Sequence, residues 1–278
     1  MKKLALLIIG LLVVFAFSFG QDNRKVNFPK KEEIPAQLPK PGNLWIFIMA
    51  GQSNMAGRGL VEPQDTIPNP RVLTMNKENK WVIAKEPLHF YQPDLTGLDC
   101  GMAFALELLK SVGDSVSIGL VPCAVGGSSV DNWLSDVSFN NVELFRNFKE
   151  RTEQSLKAGQ IKAILWHQGE SDASIEKIHQ YNSKIETLFG RFRKVVGNDS
   201  LPIIMGELGS YYFPDDQQAL WDSINVQIRS IADKGSNHFC VPTGDLTPKD
   251  DRIHFNAASQ RELGKRYADK FVTISTKN

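Results

Sequence analysis

Very little in this chain of 278 residues points to a metal, a polyanion or a covalently stapled scaffold. There are only three cysteines, Cys100, Cys123 and Cys240, an odd number that allows at most one internal bridge and assigns none. No Cys pair or His pair has the spacing of a metal site, so no metal is expected. Neither sign of charge dominates: 32 Lys+Arg stand against 31 Asp+Glu, which argues against a nucleic-acid partner bound by bulk charge. Fourteen prolines and a hydrophobic fraction of 42% exclude a disordered chain. No internal repeat is visible. The length fits one large domain, or at most two small ones, able to bury its own core.

One long hydrophobic run stands out. Lys2 and Lys3 precede an apolar stretch from Leu4 to Phe19, and Ser18 and Gly20 are small residues ahead of Gln21. This is the layout of a secretory signal peptide over residues 1–20. The alternative is an uncleaved anchor, but the run is short for a span of ~20 residues. Cleavage predicts a secreted or periplasmic protein with no stable membrane span. Without Lys2 and Lys3 the balance is 30 Lys+Arg to 31 Asp+Glu. Residues 21–42 are polar and Pro-rich and predict a linker or an extended lead-in. The remainder, 43–278, is one domain.

Within that domain, buried-strand runs alternate with amphipathic stretches. LWIFIMA (44–50), SVSIGLVPC (115–123), IKAILWHQ (161–168), LPIIMGEL (201–208) and HFCVP (238–242) predict strands. MAFALELLK (102–110), residues 142–159, a segment after Ser174 as N-cap, residues 217–233 and residues 256–272 predict helices. Residues 57–99, broken by Pro and Gly, predict loops. The alternation gives an α/β domain with a parallel sheet of about five strands, whose ligand site lies beyond the carboxyl ends of the strands.

The strand ends carry the chemistry. The first leads into GQSNMAGRG (51–59), where Ser53 sits on a glycine-flanked turn and offers a hydroxyl and an N–H. The second leads into AVGGSSVDNW (124–133), where Gly126 and Gly127 permit close backbone approach. The third ends in WHQGES (166–171). Before the last helix, DRIHFN (251–256) places Asp251 three residues from His254, a spacing that can set a carboxylate on one imidazole nitrogen and leave the other for a serine.

Taken together, GQSNMAGRG, GLVPCAVGG (119–127), WHQGES and DRIH resemble the SGNH hydrolase superfamily. The nearest branch is the carbohydrate esterases that contain acetylxylan esterases and sialate O-acetylesterases (carbohydrate esterase family 6 and relatives). The resemblance implies a flavodoxin-like three-layer α/β/α sandwich and no cofactor. It implies Ser53 as nucleophile and His254 as general base, with Asp251 or Glu170 as the supporting acid. Oxyanion donors would be Ser53, Gly127 or Gly126, and Gln168. Gln52, Asn54, Arg58, His167 and Trp133 are candidate substrate contacts, while Trp166 reads as core. The implied activity is removal of O-acetyl groups from an acetylated poly- or oligosaccharide, acetylxylan-esterase-like, with a sialate O-acetylesterase as the alternative. A reading of another class is a glycan-binding protein with a degenerate site. Oligomeric state is not legible.

Overall fold

A computed structural model describes residues 23–211, 215–235 and 237–276. Residues 1–20, read above as a signal peptide, lie outside them. Seven strands form one sheet: β1 (Leu44–Gly51), β2 (Val72–Met75), β3 (Trp81–Ile83), β4 (Ser117–Pro122), β5 (Gln160–His167), β6 (Ile203–Gly206) and β7 (His238–Val241). Their spatial order is β3-β2-β4-β1-β5-β6-β7, and every pairing is parallel except β2 with β3. The helices are α1 (Ser53–Ala56), α2 (Gly101–Leu108), α3 (Val130–Leu134), α4 (Leu144–Leu156), α5 (Tyr181–Val196), α6 (Asp215–Asp233) and α7 (Ala257–Ser275).

β1 is apolar on both sides because both of its faces are covered. On one face Phe47 meets Phe104 of α2 and Phe271 of α7 edge-on, at centroid distances of 4.7 and 4.8 Å. On the other, Phe192 of α5 stacks on Phe148 of α4 at 4.0 Å and lies near Trp133 and Trp166. The chain is therefore the expected α/β/α sandwich. β4 and β5 flank β1 and the connections leave it in opposite directions, so a crevice opens beyond the carboxyl end of β1.

Two expectations need correction, and the lead-in is held more firmly than its sequence shows. The sheet has seven strands rather than five, because residues 57–99 contain β2 and β3. These are short and joined by a turn in which Asn79 takes φ 58°. Ser174 does not cap α5: its carbonyl closes a local turn by accepting from the N–H groups of Lys177 and Ile178, and α5 begins only at Tyr181. Residues 23–42 do not hang free. Ile83 N–H donates to the Glu33 carbonyl at 2.7 Å, Asn76 donates to the Glu32 carboxylate at 2.8 Å and Asn27 to the Val61 carbonyl at 2.9 Å, so the segment is strapped along the β3 edge. All three cysteines are free thiols.

Phe192 contacts five other aromatic rings of this layer. Phe192→Ala should lower unfolding free energy by about 3–5 kcal/mol, measured by urea titration; a loss under about 1 kcal/mol would show that this layer is not the packing centre.

Candidate active site

Gly51 ends β1 with φ +133°, and a Cβ there would fall 2.1 Å from the His167 carbonyl oxygen. That close approach lets the Gln52 N–H donate to the same carbonyl at 2.9 Å, so the first turn of α1 is fixed against the end of β5. Ser53 is the first residue of α1, where backbone N–H groups have no helical acceptor. Its hydroxyl makes no hydrogen bond to any described residue.

Asn54 joins this turn to a loop 200 residues away in sequence. Its Nδ2 donates to Glu170 Oε1 at 2.6 Å and to the Ile253 carbonyl at 3.2 Å, while its Oδ1 accepts from the Phe255 N–H at 3.0 Å. The Gln260 side chain of α7 donates to the Asn54 carbonyl at 3.0 Å. His254, between Ile253 and Phe255, is thereby set relative to Ser53.

Asp251 orders the same loop. Its Oδ1 accepts from the N–H groups of Ile253 and His254, both at 2.9 Å, and its Oδ2 lies 2.9 Å from His254 Nδ1. An ionised carboxylate only accepts, so Nδ1 carries the proton and the lone pair of Nε2 is left over. Burial would raise the Asp251 carboxyl, but the hydrogen bonds from His254 and Ile253 outweigh it and hold it well below the usual carboxylate range. Burial, aided by the positive charges of Arg58 and Lys249, lowers His254 from its ordinary value despite Asp251. His254 is neutral at pH 7 on this balance.

Ser53 and His254 line one cleft of about 680 Å³, together with Gln52, Arg58, Gly127 and Glu170. Gln52 is held by the Ser171 N–H, which donates to its Oε1 at 3.2 Å. Gly127 takes φ +80° and is exposed at the cleft, and among the described residues its N–H has no acceptor. Glu170 is buried, which pushes its carboxyl up to about 7 against the Asn54 hydrogen bond.

Arg58 lines the cleft at 8% exposure, with no carboxylate partner among the described residues. Its guanidinium donates to the Gly57 carbonyl and to Gln92 Oε1. Burial, with the neighbouring charge of Arg24, lowers it to about 10.

Several predicted contacts are elsewhere. The Gly126 N–H is taken by Gln92 Oε1 at 3.0 Å, so Gly126 is not an oxyanion donor. Gln168 is fully buried below the cleft. Its amide donates to Asp172 and to the Ser128 carbonyl, so it is not an oxyanion donor either. His167 is fully buried against the Phe255 ring and does not reach the cleft; burial lowers it to about 3. It lies 3.8 Å from Glu170 but is neutral, so the two form no ion pair. Asn54 spends its carboxamide on the backbone bridge, not on substrate. Trp133 is core: its Nε1 donates to Ser128 Oγ at 3.0 Å and its ring meets Trp166 edge-on at 5.5 Å. Glu170 bonds Asn54, whereas Asp251 holds the His254 ring.

Sequence reasoning missed Arg24, Gln92, Leu95, Trp221 and Lys249, which also line the cleft. Gln92 and Leu95 fall in the stretch expected to be irregular, and Arg24 in the lead-in. Among the described residues no group of His, Cys, Asp or Glu is placed to hold a metal ion, and no helix is long and apolar enough to cross a membrane.

A mostly parallel sheet with a serine turn at the end of its central strand and an Asp-x-x-His loop before the last helix defines an SGNH-type ester hydrolase. More narrowly, the chain belongs to the carbohydrate esterase family described as sialic acid-specific acetylesterase, which matches residues 43–273. It is thus a member of a family of carbohydrate acetylesterases. It is 33% identical over 264 residues to a probable carbohydrate esterase of Arabidopsis thaliana, covering 88% of this chain and 96% of the relative. The X-ray structure of an Arabidopsis thaliana protein superposes with a TM-score of 0.73 at 32% identity, over 84% of this chain and 99% of that one. NanS shares the fold at a TM-score of 0.69 and 16% identity, over 87% of this chain and 100% of NanS.

Asn54→Ala strips the Glu170 carboxyl, the Ile253 carbonyl and the Phe255 N–H of a hydrogen bond each. It should cost about 2–5 kcal/mol in urea unfolding and lower kcat on an aryl acetate in the surviving folded fraction. A variant as stable and as active as the parent would show that the bridge does not set the site.

Proposed function

We propose that this protein is a secreted or periplasmic serine esterase that removes O-acetyl groups from carbohydrates, acetylxylan-esterase-like, through an acetyl-enzyme. The observation that carries the reading is the His254 ring, held by Asp251 at Nδ1 and free at Nε2, in the same cleft as the Ser53 hydroxyl. The leader over residues 1–20 supports export.

Ser53 Oγ attacks the acetyl carbonyl carbon as His254 Nε2 takes its proton. The carbonyl π pair moves to oxygen, and the N–H groups of Ser53 and Gly127 receive that oxyanion. On collapse the C–O bond to the sugar breaks, and His254 returns the proton to the sugar oxygen. Water then attacks the acetyl-Ser53 ester by the same route, releasing acetate and restoring the hydroxyl. Asp251 is the supporting acid, and Glu170 faces the cleft as a weakly acidic group that can meet a sugar hydroxyl. A sialate O-acetylesterase is the second reading. Arg58, a cleft guanidinium that forms no ion pair with a carboxylate among the described residues, favours it because a sialate carries a carboxylate of its own.

Acetate release from acetylated xylan and from O-acetylated sialic acid, compared with Ser53→Ala, tests the proposal. The parent should act on at least one and the variant on neither. A parent inactive on both and on an aryl acetate would end the esterase reading. Asp251→Asn should lower kcat by ~10²–10⁴-fold by disturbing the imidazole tautomer, while Glu170→Gln, which keeps the Asn54 bond, should cost under about tenfold. The reverse ranking would make Glu170 the acid. Because His254 must be neutral and its affinity for protons is lowered, kcat/KM should rise with pH along a limb whose midpoint lies below 6.5, the ordinary histidine value. A midpoint above 7 would contradict this assignment.

A further inference from the structure

A second cavity, of about 470 Å³, lies beside the cleft, between the strap of residues 25–32 and the β2–β3 edge. The same two segments contribute to the walls of both spaces. The strap sends Arg24 to the cleft and Lys25 to the cavity; the loop after β3 sends Gln92 and Leu95 to the cleft and Pro93 and Thr96 to the cavity. Arg24 donates to the Asp94 carbonyl at 2.8 Å and Lys25 pairs with its carboxylate at 3.2 Å, which ties strap to loop.

The cavity has a distinct chemistry. Five lysines line it against one acid, Glu32, and that carboxylate already accepts from Asn76. Lys25 and Lys85 have carboxylate partners, Asp94 and Glu33, and Lys77 lies 3.6 Å from Glu78. Lys30 and Lys31 have none among the described residues. Between the cations the wall is apolar, with Phe28, Pro29, Leu88 and Phe90. His89, 3% exposed, also stands in this wall. Its Nδ1 is fixed by Asp99 at 2.7 Å, and its Nε2 is buried with no partner. With the Nδ1 proton given to Asp99, Nε2 keeps its lone pair, and an orphaned acceptor in a cavity wall suits a ligand hydroxyl.

We propose that this cavity is a binding subsite for a carboxylate-bearing sugar unit, a uronic acid residue of the same glycan whose acetylated unit lies in the cleft. The apolar wall suits the C–H faces of a sugar ring, Lys30 and Lys31 suit its carboxylate, and the strap and loop that supply residues to both spaces set it beside the reacting unit. The subsite rests on the carbohydrate-esterase reading only for the identity of the polymer. Binding without turnover is measured separately, so a protein that binds acidic sugar but releases no acetate, and one that does the reverse, are told apart.

The test is calorimetric titration of the full protein with a trimer of galacturonic acid, with xylotriose as the neutral counterpart and inorganic phosphate as the bare anion. The acidic trimer should bind and xylotriose should bind at least about tenfold more weakly. The double variant Lys30→Glu, Lys31→Glu should weaken the acidic trimer by at least about tenfold and leave aryl acetate kcat/KM unchanged, which also shows that it is folded. The control Lys157→Glu, Lys194→Glu, on exposed lysines of α5 and the end of α4, should bind like the parent. The His89 ring signals in NMR should move with the trimer and not with phosphate. Equal binding of the neutral trimer, equal loss in the control, displacement of the trimer by phosphate at matched concentration, or no binding at all would each overturn the subsite.

Discussion

The site depends on one carboxamide. Asn54 follows the candidate nucleophile in sequence, and it hydrogen-bonds to both neighbours of His254 through their backbones, so the two ends of the chain are referenced to each other at the reacting groups. A serine on a strand end and a histidine on a loop 201 residues later have no covalent reason to stay aligned. Here they stay aligned because Asn54 is fully buried, where an unmade hydrogen bond is costly, and its donor and acceptor are both committed. Glu170 on the same amide brings the end of β5 into the arrangement, and Gly51 permits the close strand contact beneath it. The cleft is thus the junction of β1, the β5 turn and the loop before α7, each held by the others.

Low solvent access sets the electrostatics of that junction. The same burial raises Glu170 to about 7, lowers Arg58 to about 10 and lowers His254. Each shift favours the neutral form, which is what desolvation does to either sign of charge. Asp251 is the exception, because it accepts two backbone N–H groups and the imidazole. It is the group best able to remain an anion beside a histidine that gains a proton during the reaction. The sheet supplies the frame and the loop before α7 supplies the charge.

Much of this was legible in the residues. Long apolar runs such as LWIFIMA announced the central strands because both faces are covered, and DRIH announced its own short-range pairing because three residues suffice to bring Asp251 to His254. What failed was direction at the ends of strands. His167, Gln168 and Glu170 are near neighbours in WHQGES, yet only Glu170 reaches the cleft. His167 is packed on Phe255, and Gln168 is drawn down by Asp172 four residues on, a partner that the strand pattern did not disclose. Trp133 looked like a sugar platform from its place after the glycines, but its indole fills the space between β5 and α5. Gln92 and Arg24 were invisible for another reason. They lie in Pro-rich segments without periodicity, and tertiary hydrogen bonds to Arg58, Gly126 and Asp94 help give them position.

The claim on which the account turns is that Ser53 takes the acyl group while His254, held by Asp251, moves the proton. Rapid acid quench of the protein with an aryl acetate, followed by peptide mass spectrometry, tests it directly. One acetyl group should appear on the peptide containing Ser53 during turnover, and it should appear far more slowly when His254, the base for both steps, is replaced by alanine. Acetyl appearing on a different residue, or a Ser53→Ala protein that turns over at the parental rate, would contradict the account.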